Sequence, residues 1–290
     1  MGPSSPQRGG WVEARLGQKE FGRLSAFIEG HCGIRMPPGK KVMLEARLRK
    51  RLRALGLASF SEYCDRVLGD RASDEELVHM IDAVTTNKTD FFREPQHFEY
   101  LVRRAIPGLI REAGCGIRKE LMVWSAGCSS GEEPYTLAMV LGEVAERLQG
   151  FRFVVLGTDI CTKVLEAARQ AIYDNERIEP IPLELRRKYL LRSRDPEKEV
   201  VRIVPELRQH VKFRRLNFLD DDFGMREQAD VIFCRNVFIY FDRATQEAVL
   251  NRLCRHLATG GYVFLGHSET INGLRVPLVQ EAPTVYRKAP

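Results

Sequence analysis

Apolar residues in the first third of the chain recur at intervals of three and four positions, which is the period of an amphipathic helix. Four successive stripes have this spacing, and they comprise Phe21, Leu24, Phe27 and Ile28, then Leu44, Leu48, Leu52 and Leu55, then Phe60, Tyr63 and Val67, and finally Leu77, Met80, Ile81 and Val84. Ser73 is the expected N-cap of the last helix, with Glu76 in the capping-box position. The pattern predicts a disordered tail at 1–17, followed by an all-helical domain at 18–86.

The pattern changes after residues 87–117, a predicted linker and cofactor-contacting segment. Apolar runs typical of buried strands then alternate with helical stripes. The predicted strands are Leu121–Ser125, Phe153–Thr158, Val211–Leu216, Val231–Cys234 and Tyr262–Leu265, and the predicted helices are Pro134–Leu148, Thr162–Ala171 and Ala244–Leu257. This alternation predicts an α/β domain at 118–290 with a mostly parallel sheet. Two final runs, Pro277–Gln280 and Thr284–Arg287, predict an antiparallel C-terminal hairpin, and the broken rhythm at about 176–210 predicts a small β insertion.

The composition is that of a globular protein, since 44% of the 290 residues are apolar and 29% are charged. No apolar run approaches the roughly 18 residues of a membrane span, and the polar N-terminus has no secretory-signal segment. The seven cysteines are odd in number and scattered, which indicates reduced thiols and neither a disulfide framework nor a zinc site. We therefore expect a cytoplasmic protein that does not insert directly into a membrane.

Positive charge is concentrated in one segment. Residues 35–53 hold eight basic side chains and one acidic one, Glu45, while the net charge of the whole chain is +6. The remainder of the chain is therefore nearly neutral, and the basic segment predicts binding to an acidic partner surface.

A glycine-bearing turn is the most informative chemical feature of the sequence. It follows the strand Leu121–Ser125, contains Gly127 and Gly131, and precedes Asp159 at the end of the next strand. Such a turn lets the backbone approach an adenosine-containing ligand, whose ribose hydroxyls the later carboxylate reaches. The turn has neither a Gly-x-Gly-x-x-Gly nor a Gly-Lys-Ser/Thr sequence, so S-adenosylmethionine is favoured over a dinucleotide or a nucleoside triphosphate. The alternative is an ordinary strand-to-helix turn.

Other polar residues suit the same crevice, which in a parallel sheet lies outside the carboxyl ends of the strands. Arg235, Asn236 and Tyr240 follow one predicted strand, and Asn217 follows another. Arg93 lies between the two predicted domains, where it suits bidentate pairing with a carboxylate. Structural roles are the alternatives: a packed arginine and tyrosine, a turn asparagine, and a solvated arginine in a linker.

Five segments, in order, resemble the chemotaxis receptor methyltransferases of bacteria, the CheR family. They are TTNKTDFFRE at 85–94, VWSAGCSSGEEPYTLAM at 123–139, VLGTDI at 155–160, CRNVFIYFD at 234–242 and GHSE at 266–269. The resemblance implies a class I, Rossmann-like methyltransferase domain and a protein-glutamate O-methyltransferase activity. Such an enzyme transfers a methyl group from S-adenosylmethionine to glutamate side chains on the cytoplasmic helices of methyl-accepting chemotaxis receptors. The products are glutamyl methyl esters and S-adenosylhomocysteine.

The resemblance also implies roles for single residues. The implied cofactor contacts are Asn87, Thr89, Arg93, Gly127, one of Glu132 and Glu133, Asp159, Asn217, Phe218, Arg235 and Asn236. Asp159 would hold the ribose, and Asn217 with Phe218 would flank the adenine. Arg93 and Tyr240 would be the catalytic residues nearest the methyl group. A glutamate carboxylate, with a pKa near 4.3, is ionised at neutral pH, so no general base is required.

The helix predicted at Lys40–Leu55 would dock on the acidic receptor helices. Its basic residues outside the apolar stripe are Arg47, Arg49, Lys50, Arg51 and Arg53. Docking of this kind gives a salt-sensitive association rate, whereas the alternative is a merely solvated face. Some family members also bind a receptor pentapeptide through the β insertion. Here the turn at 193–199 lacks glycine, so weak or no tethering is expected.

Two other functions are weighed against this one, a nucleic-acid methyltransferase and a non-catalytic module that senses S-adenosylmethionine. The chain has no Asn-Pro-Pro-Tyr, Asp-Pro-Pro-Tyr or catalytic Pro-Cys motif, so no nucleic-acid partner is expected. The six histidines show no ligand spacing, so no metal is predicted, and His267 is expected to stabilise its loop. A monomer is expected.

Overall fold

The computed structural model describes residues 14–69, 73–195 and 197–289. The chain divides into two compact units, Met1–Thr85 and Thr86–Pro290. Most of the tail predicted at 1–17 lies outside the described residues. Within the described part, Leu16 is buried, and its main-chain N–H donates to Oε2 of Glu45 over 2.9 Å. Ordered structure therefore begins before residue 18, the predicted start of the helical domain.

The first unit is helical throughout its described elements. These are α1 (Gln18–Cys32), a 3₁₀ turn (Pro38–Lys40), α2 (Lys41–Leu55), α3 (Phe60–Leu68) and α4 (Asp74–Val84). Helix α2 ends where Gly56 adopts a left-handed conformation with φ of 67°, which a residue without a Cβ reaches at no steric cost. Leu44, Leu48 and Leu52 are buried, so the apolar stripe predicted on α2 forms core.

A side-chain N-cap is present in this unit, but it stands on a different helix from the one predicted. Ser59 caps α3, and its Oγ accepts a hydrogen bond from the N–H of Glu62 over 3.2 Å. Ser73 is the N-cap residue of α4, as predicted, but its side chain makes no cap hydrogen bond in the described structure, so the box predicted with Glu76 is wrong. Glu76 is buried and accepts a 3.0 Å hydrogen bond from Nε of Arg51 on α2 instead. Local spacing cannot anticipate a partner from another helix.

The second unit carries a central sheet and a smaller one. Its strands are β1 (Leu121–Ala126), β2 (Phe153–Asp159), β3 (Ile172–Asp174), β4 (Leu190–Arg192), β5 (Val200–Ile203), β6 (Val211–Arg215), β7 (Ala229–Cys234), β8 (Leu257–Leu265), β9 (Leu278–Ala282) and β10 (Val285–Lys288). The central sheet has the order β6-β2-β1-β7-β8-β10-β9. The first five strands in this order, from β6 through β2, β1 and β7 to β8, are parallel. Strand β10 pairs antiparallel with both β8 and β9. The predicted mostly parallel sheet with an antiparallel C-terminal hairpin is confirmed.

The smaller sheet is the predicted β insertion. Its order is β3-β5-β4, and both pairings are antiparallel. It begins at Ile172, earlier than the predicted 176–210, because the short strand β3 pairs with the distant β5. The described structure stops at Asp195 and resumes at Glu197 within the turn of the insertion.

Helices flank the central sheet. They are α5 (Gln96–Tyr100), a π-helical turn (Leu101–Ala105), α6 (Ile106–Ala113), α7 (Glu132–Arg147), α8 (Thr162–Gln170), α9 (Leu183–Tyr189), α10 (Pro205–Arg208) and α11 (Arg243–Arg255). The segment predicted as a linker thus contains α5 and α6. Pro107 and Gly108 weaken the helical pattern there, but Pro107 lies in the first turn of α6, where its missing N–H is not needed.

Apolar side chains cover both faces of the central sheet in two clusters. Val123 and Phe233 belong to one cluster, whereas their chain neighbours Trp124 and Ile232 belong to the other. This division follows from the alternation of side chains along a strand. In the described part of the chain, no helix is both long enough and apolar enough to cross a membrane.

Candidate active site

The carboxyl ends of four neighbouring parallel strands bring the predicted site residues to one edge of the sheet. In the order β6-β2-β1-β7, the residues that follow these strands or end them include Asn217, Asp159, Gly127 and Arg235. The register aligns these ends, since Ala126 of β1 pairs with Thr158 of β2. Residues that are far apart in sequence therefore lie at the same edge of the sheet, where the ligand crevice of a parallel sheet is found.

The turn after β1 requires glycine at both positions singled out in the sequence. Gly127 has φ of 85°, and a Cβ there would lie 2.6 Å from Cγ2 of Val237. Gly131 has φ of 97°, and a Cβ there would lie 2.9 Å from both the Cβ of Ala168 and the hydroxyl of Tyr173. Both the backbone conformation and the close packing exclude larger residues without rearrangement.

Asp159, at the end of β2, shapes this turn. Its Oδ2 accepts from the N–H of Ser129 and its Oδ1 from the N–H of Cys161, each over 2.9 Å. Asn87 reaches the same place, because its main-chain carbonyl accepts from Oγ of Ser129 over 2.9 Å. The structure thus brings two predicted cofactor contacts, Asn87 and Asp159, onto one loop.

The two glutamates that open α7 have different surroundings. Glu132 is completely buried, and it pairs with Ser130 and with the guanidinium of Arg177. Burial raises the pKa of Glu132 above its usual range. Glu133 accepts from Oγ of Ser125 and from Nε of Arg235, each over 2.6 Å. Glu133 thus belongs to the network at the strand ends, whereas Glu132 faces Arg177.

Arg235 is packed inside the protein and not extended into the crevice. Its side chain is 3% exposed, and its guanidinium carbon lies 5.3 Å from the ring centre of Phe98 and 5.6 Å from that of Phe233. Nη1 of Arg235 donates to the main-chain carbonyl oxygen of Arg93 over 2.6 Å. Arg235 therefore makes the contacts of a structural arginine. One of these contacts is with the main chain of another predicted site residue, Arg93.

Arg93 lies between two strained residues. Phe92 and Glu94 are not glycines, yet they have φ values of 52° and 56°, a conformation that costs about 1–3 kcal/mol per residue. The N–H of Phe92 donates to Oγ1 of Thr136 over 3.1 Å, and Nη1 of Arg235 donates to the main-chain carbonyl of Arg93. These bonds offset the strain and fix the main chain that carries the Arg93 side chain, whose Nη1 lies 3.4 Å from the carbonyl of Lys88.

The remaining residues predicted to contact the cofactor lie at the same edge of the sheet, and their hydrogen bonds are less specific to a binding site. Oδ1 of Asn217 accepts from the N–H of Leu219 over 3.1 Å, as expected of a turn asparagine. Phe218 beside it is half-buried. Thr89 is held through its main chain, since its carbonyl accepts from Nη2 of Arg177 over 3.2 Å.

Glu269 organises the loop after β7, a role that the sequence did not reveal. Its buried carboxylate accepts from the N–H groups of Asn236, Phe238 and Gly266 at 2.7–2.9 Å. Asn236 has φ of 60°, and Tyr240 ends the 3₁₀ turn that starts at Phe238. The GHSE segment at 266–269 was the available sequence signal, and the residue in it that organises the loop is the glutamate and not the histidine. His267 contributes its main-chain N–H, 3.3 Å from Oε1 of Glu94.

One cluster in the described residues has the composition of a metal site. Ligand atoms of Glu94, His97 and His267 all lie within 4.8 Å of one another. However, Nη1 of Arg235 lies 3.5 Å from Oε2 of Glu94 and 3.3 Å from Nδ1 of His97. A permanent positive charge thus already lies against two of these three residues, which disfavours a cation there.

Two family models match the chain, namely CheR methyltransferase, SAM binding domain, at residues 87–285 and CheR methyltransferase, all-alpha domain, at residues 19–85. The chain belongs to the CheR methyltransferase family. Chemotaxis protein methyltransferase 2 of Pseudomonas aeruginosa is 41% identical over 274 residues, which are 94% of each chain. The chemotaxis protein methyltransferase of Borreliella burgdorferi is 38% identical and covers 96% of each chain. That of Escherichia coli is also 38% identical and covers 93% of this chain and 91% of its own.

CheR membership confirms the methyltransferase fold, the S-adenosylmethionine cofactor and the role in chemotaxis that the motifs predicted. The residues at the strand ends fit this cofactor chemically. The carboxylate of Asp159 suits ribose hydroxyls, and the half-buried ring of Phe218 suits a flat, apolar base. Gly127 presents main chain without a side chain at the end of β1, where a Cβ would meet Val237.

Proposed function

We propose that the protein methylates glutamate carboxylates on the cytoplasmic helices of chemotaxis receptors, producing glutamyl methyl esters and S-adenosylhomocysteine. The observation that supports this most directly is the placement of Arg93. A guanidinium on a strained main chain, held by Thr136 and Arg235, suits a group that must orient a carboxylate. The names of its CheR relatives, chemotaxis protein methyltransferases, agree with this substrate class.

Cofactor binding is assigned to the loops at the strand ends. We assign the ribose to Asp159 and the adenine to Phe218 with Asn217, while Asn87, Thr89, Gly127 and Asn236 complete the pocket. Of the two glutamates, we assign the contact to Glu133, because Glu132 is 0% exposed and paired with Arg177. Arg235 contributes through Glu133 and through the carbonyl of Arg93.

The reaction requires positioning more than proton transfer. S-adenosylmethionine supplies an electrophilic methyl group on a positively charged sulfur. A substrate glutamate is already ionised at neutral pH, so Arg93 needs only to align one carboxylate oxygen, and Tyr240 donates a hydrogen bond to it. Alignment of reacting groups can contribute about 7–11 kcal/mol to lowering a barrier.

Receptor docking is assigned to helix α2, but its five predicted basic residues are not equivalent. Arg47 donates to the main-chain carbonyls of Val84 and Thr85, Arg49 pairs with Glu45, and Arg51 pairs with Glu76. Lys50 and Arg53 are exposed. We therefore assign long-range attraction of acidic receptor helices mainly to Lys50 and Arg53. The protein is proposed to act in the cytoplasm as a monomer, with weak or no pentapeptide tethering by the insertion.

The test is to incubate the purified protein with methyl-labelled S-adenosylmethionine and receptor-containing membranes, then to treat the product with mild alkali. Release of volatile labelled methanol is expected, since only a carboxyl ester hydrolyses this way. Alkali-stable label would overturn the proposal, and so would binding of the cofactor without any label transfer to a range of receptors. Arg93→Ala should lower the methylation rate by a factor of 100 or more, on the order of what misalignment costs. A folded Arg93→Ala protein with near-normal turnover would exclude the role given to Arg93.

A further inference from the structure

His97 is a buried, polar residue at the centre of the Arg235 network, and the proposed reaction does not use it. It is 2% exposed. Its Nε2 lies 2.8 Å from Oγ1 of Thr284, and its Nδ1 lies 3.3 Å from Nη1 of Arg235. The two ring nitrogens therefore face different groups. Nε2 faces the β9–β10 turn, whereas Nδ1 faces Arg235 on the loop after β7 and also lies 3.4 Å from Oε2 of Glu94.

These partners determine which nitrogen carries the proton. Oγ1 of Thr284 donates to the carbonyl of Pro283 over 2.7 Å, so it must accept from Nε2–H of His97. A neutral ring has only this one proton, so Nδ1 is unprotonated and donates nothing to Glu94; a guanidinium donates and never accepts, so Nδ1 is the acceptor for Arg235. The ring is thus neutral, with the proton on Nε2, and burial with the adjacent positive charge lowers the pKa of His97 to about 4.

The guanidinium of Arg235 is thereby held from several sides. Its Nε–H is directed to Glu133, and its Nη1 donates to the carbonyl of Arg93 and faces Nδ1 of His97. Without an acceptor at the Nδ1 position, Nη1 keeps only the Arg93 carbonyl and the more distant Oε2 of Glu94, 3.5 Å away, as partners. The guanidinium can then turn from the Arg93 carbonyl towards Glu94. The strained conformation of Phe92 and Glu94 would then lose one of its restraints.

We infer that His97 is a positioning residue for methyl transfer, which acts through Arg235 on the main chain of Arg93. The inference rests on the proposed catalytic role of Arg93. It predicts that the acceptor at Nδ1 matters for catalysis, while the bond from Nε2 to Thr284 matters mainly for anchoring the ring.

Two conservative substitutions separate these nitrogens. His97→Asn places an amide oxygen near the Nδ1 position and keeps the acceptor for Arg235, whereas His97→Gln extends its amide towards the Nε2 position. We expect kcat for receptor methylation to fall at least tenfold in His97→Gln and less than threefold in His97→Asn. The Kd for S-adenosylmethionine should change less than threefold in both, because neither variant alters Asp159 or the glycine turn. Thr284→Ala, which removes only the Nε2 partner, serves as the control and should keep kcat within threefold.

A second readout does not depend on catalysis. Amide hydrogen exchange in the segment 90–94 should accelerate in His97→Gln and remain near the wild-type rate in His97→Asn and Thr284→Ala. Equal behaviour of the Gln and Asn variants in both measurements would overturn the inference. If His97→Gln does not fold, ¹⁵N NMR of the wild-type ring decides, because a protonated Nδ1 would exclude the acceptor role.

Failure of the inference and failure of the proposed function are distinguishable. Alkali-stable product from the wild-type protein would reject glutamate methylation whatever the variants do. Normal ester formation together with identical exchange rates in all variants would reject only the role of His97.

Discussion

The main-chain N–H of Ser129 donates to Oδ2 of Asp159 over 2.9 Å. This bond joins the glycine turn after β1 to the end of β2, and the second oxygen of the same carboxylate holds the N–H of Cys161. One half-buried side chain thus fixes both loops that surround the proposed ribose position, so its removal should affect cofactor binding before it affects the fold.

Asp159→Asn tests this relationship with almost no change in shape. An amide has only one acceptor oxygen, so one of the two main-chain N–H groups is left facing an NH₂ group, and the ribose loses a charged acceptor. We expect the Kd for S-adenosylmethionine to rise at least tenfold, which corresponds to about 1.4 kcal/mol, as measured by isothermal titration calorimetry. Asp221→Asn is the control, because that side chain is fully exposed and should bind the cofactor normally. An unchanged Kd in Asp159→Asn would contradict the assignment.

Gly131→Ala should weaken cofactor binding through the shape of the turn. The new Cβ would approach Ala168 and Tyr173 to 2.9 Å in a backbone conformation with φ of 97°. Gly150→Ala is a matched control, because φ there is 79° but no heavy atom lies within 4 Å of the built Cβ. In both variants the free energy of unfolding, measured in urea, should fall by roughly 1 kcal/mol, because alanine is less favourable than glycine in a left-handed conformation. Only Gly131→Ala should also lose affinity for S-adenosylmethionine, and equal affinity in both would show that the close packing is unimportant.

Arg51 and Lys50 are adjacent on α2, but we expect Arg51 to contribute to stability and Lys50 to receptor docking. Arg51→Ala leaves the buried carboxylate of Glu76 without its cation. Breaking a buried pair costs roughly 3–5 kcal/mol, and since the Arg51 side chain is 22% exposed we expect about 2–3 kcal/mol in urea unfolding. Lys50→Ala should leave stability within about 0.5 kcal/mol but reduce the salt dependence of receptor methylation. If Lys50→Ala and Arg53→Ala each left that dependence intact, α2 would not be the docking surface.

Stability against acid should depend on His97. Its pKa is lowered to about 4 in the folded protein, against about 6.5 in an unfolded chain. Between these values the unfolded state binds the additional proton, so the stability contributed by the neutral ring is full above about pH 6.5 and is lost as pH falls towards about 4. The groups that face the ring are Arg235, Glu94 and His267. Burial and the positive charge of Arg235 lower the pKa of His97, and the carboxylate of Glu94 acts in the opposite direction.

The measurement is the free energy of unfolding of wild type and His97→Asn from pH 4 to 7. The wild-type value should fall more steeply with acid, at a slope larger by up to about 1.4 kcal/mol per pH unit, equivalent to one proton. The raised pKa values of buried Glu132 and Glu269 act in the opposite direction, but they are common to both proteins and cancel in the difference. Parallel curves would show that His97 titrates normally.

Local sequence patterns determined much of this protein. The 3.6-residue stripes and the short apolar runs identified α2, α7 and the parallel strands, because backbone periodicity and burial are encoded by neighbouring residues. The motifs identified the family, the cofactor and the loops at the strand ends. The same local rules gave no sign of α5, which has only five residues, or of α6, where Pro107 and Gly108 interrupt the helical pattern.

What tertiary structure decided is the partner of each polar side chain. Glu76 has the spacing of a capping residue but turns inward to Arg51, and Arg235 has the position of a ligand contact but is packed between Glu133 and the carbonyl of Arg93. A buried charge must find a partner wherever the fold supplies one, and in these cases the partner is 25 to 142 residues away in sequence. The sequence by itself therefore determined the elements and the chemistry, while the roles of Arg235, His97 and Glu269 followed only from the packing of distant segments.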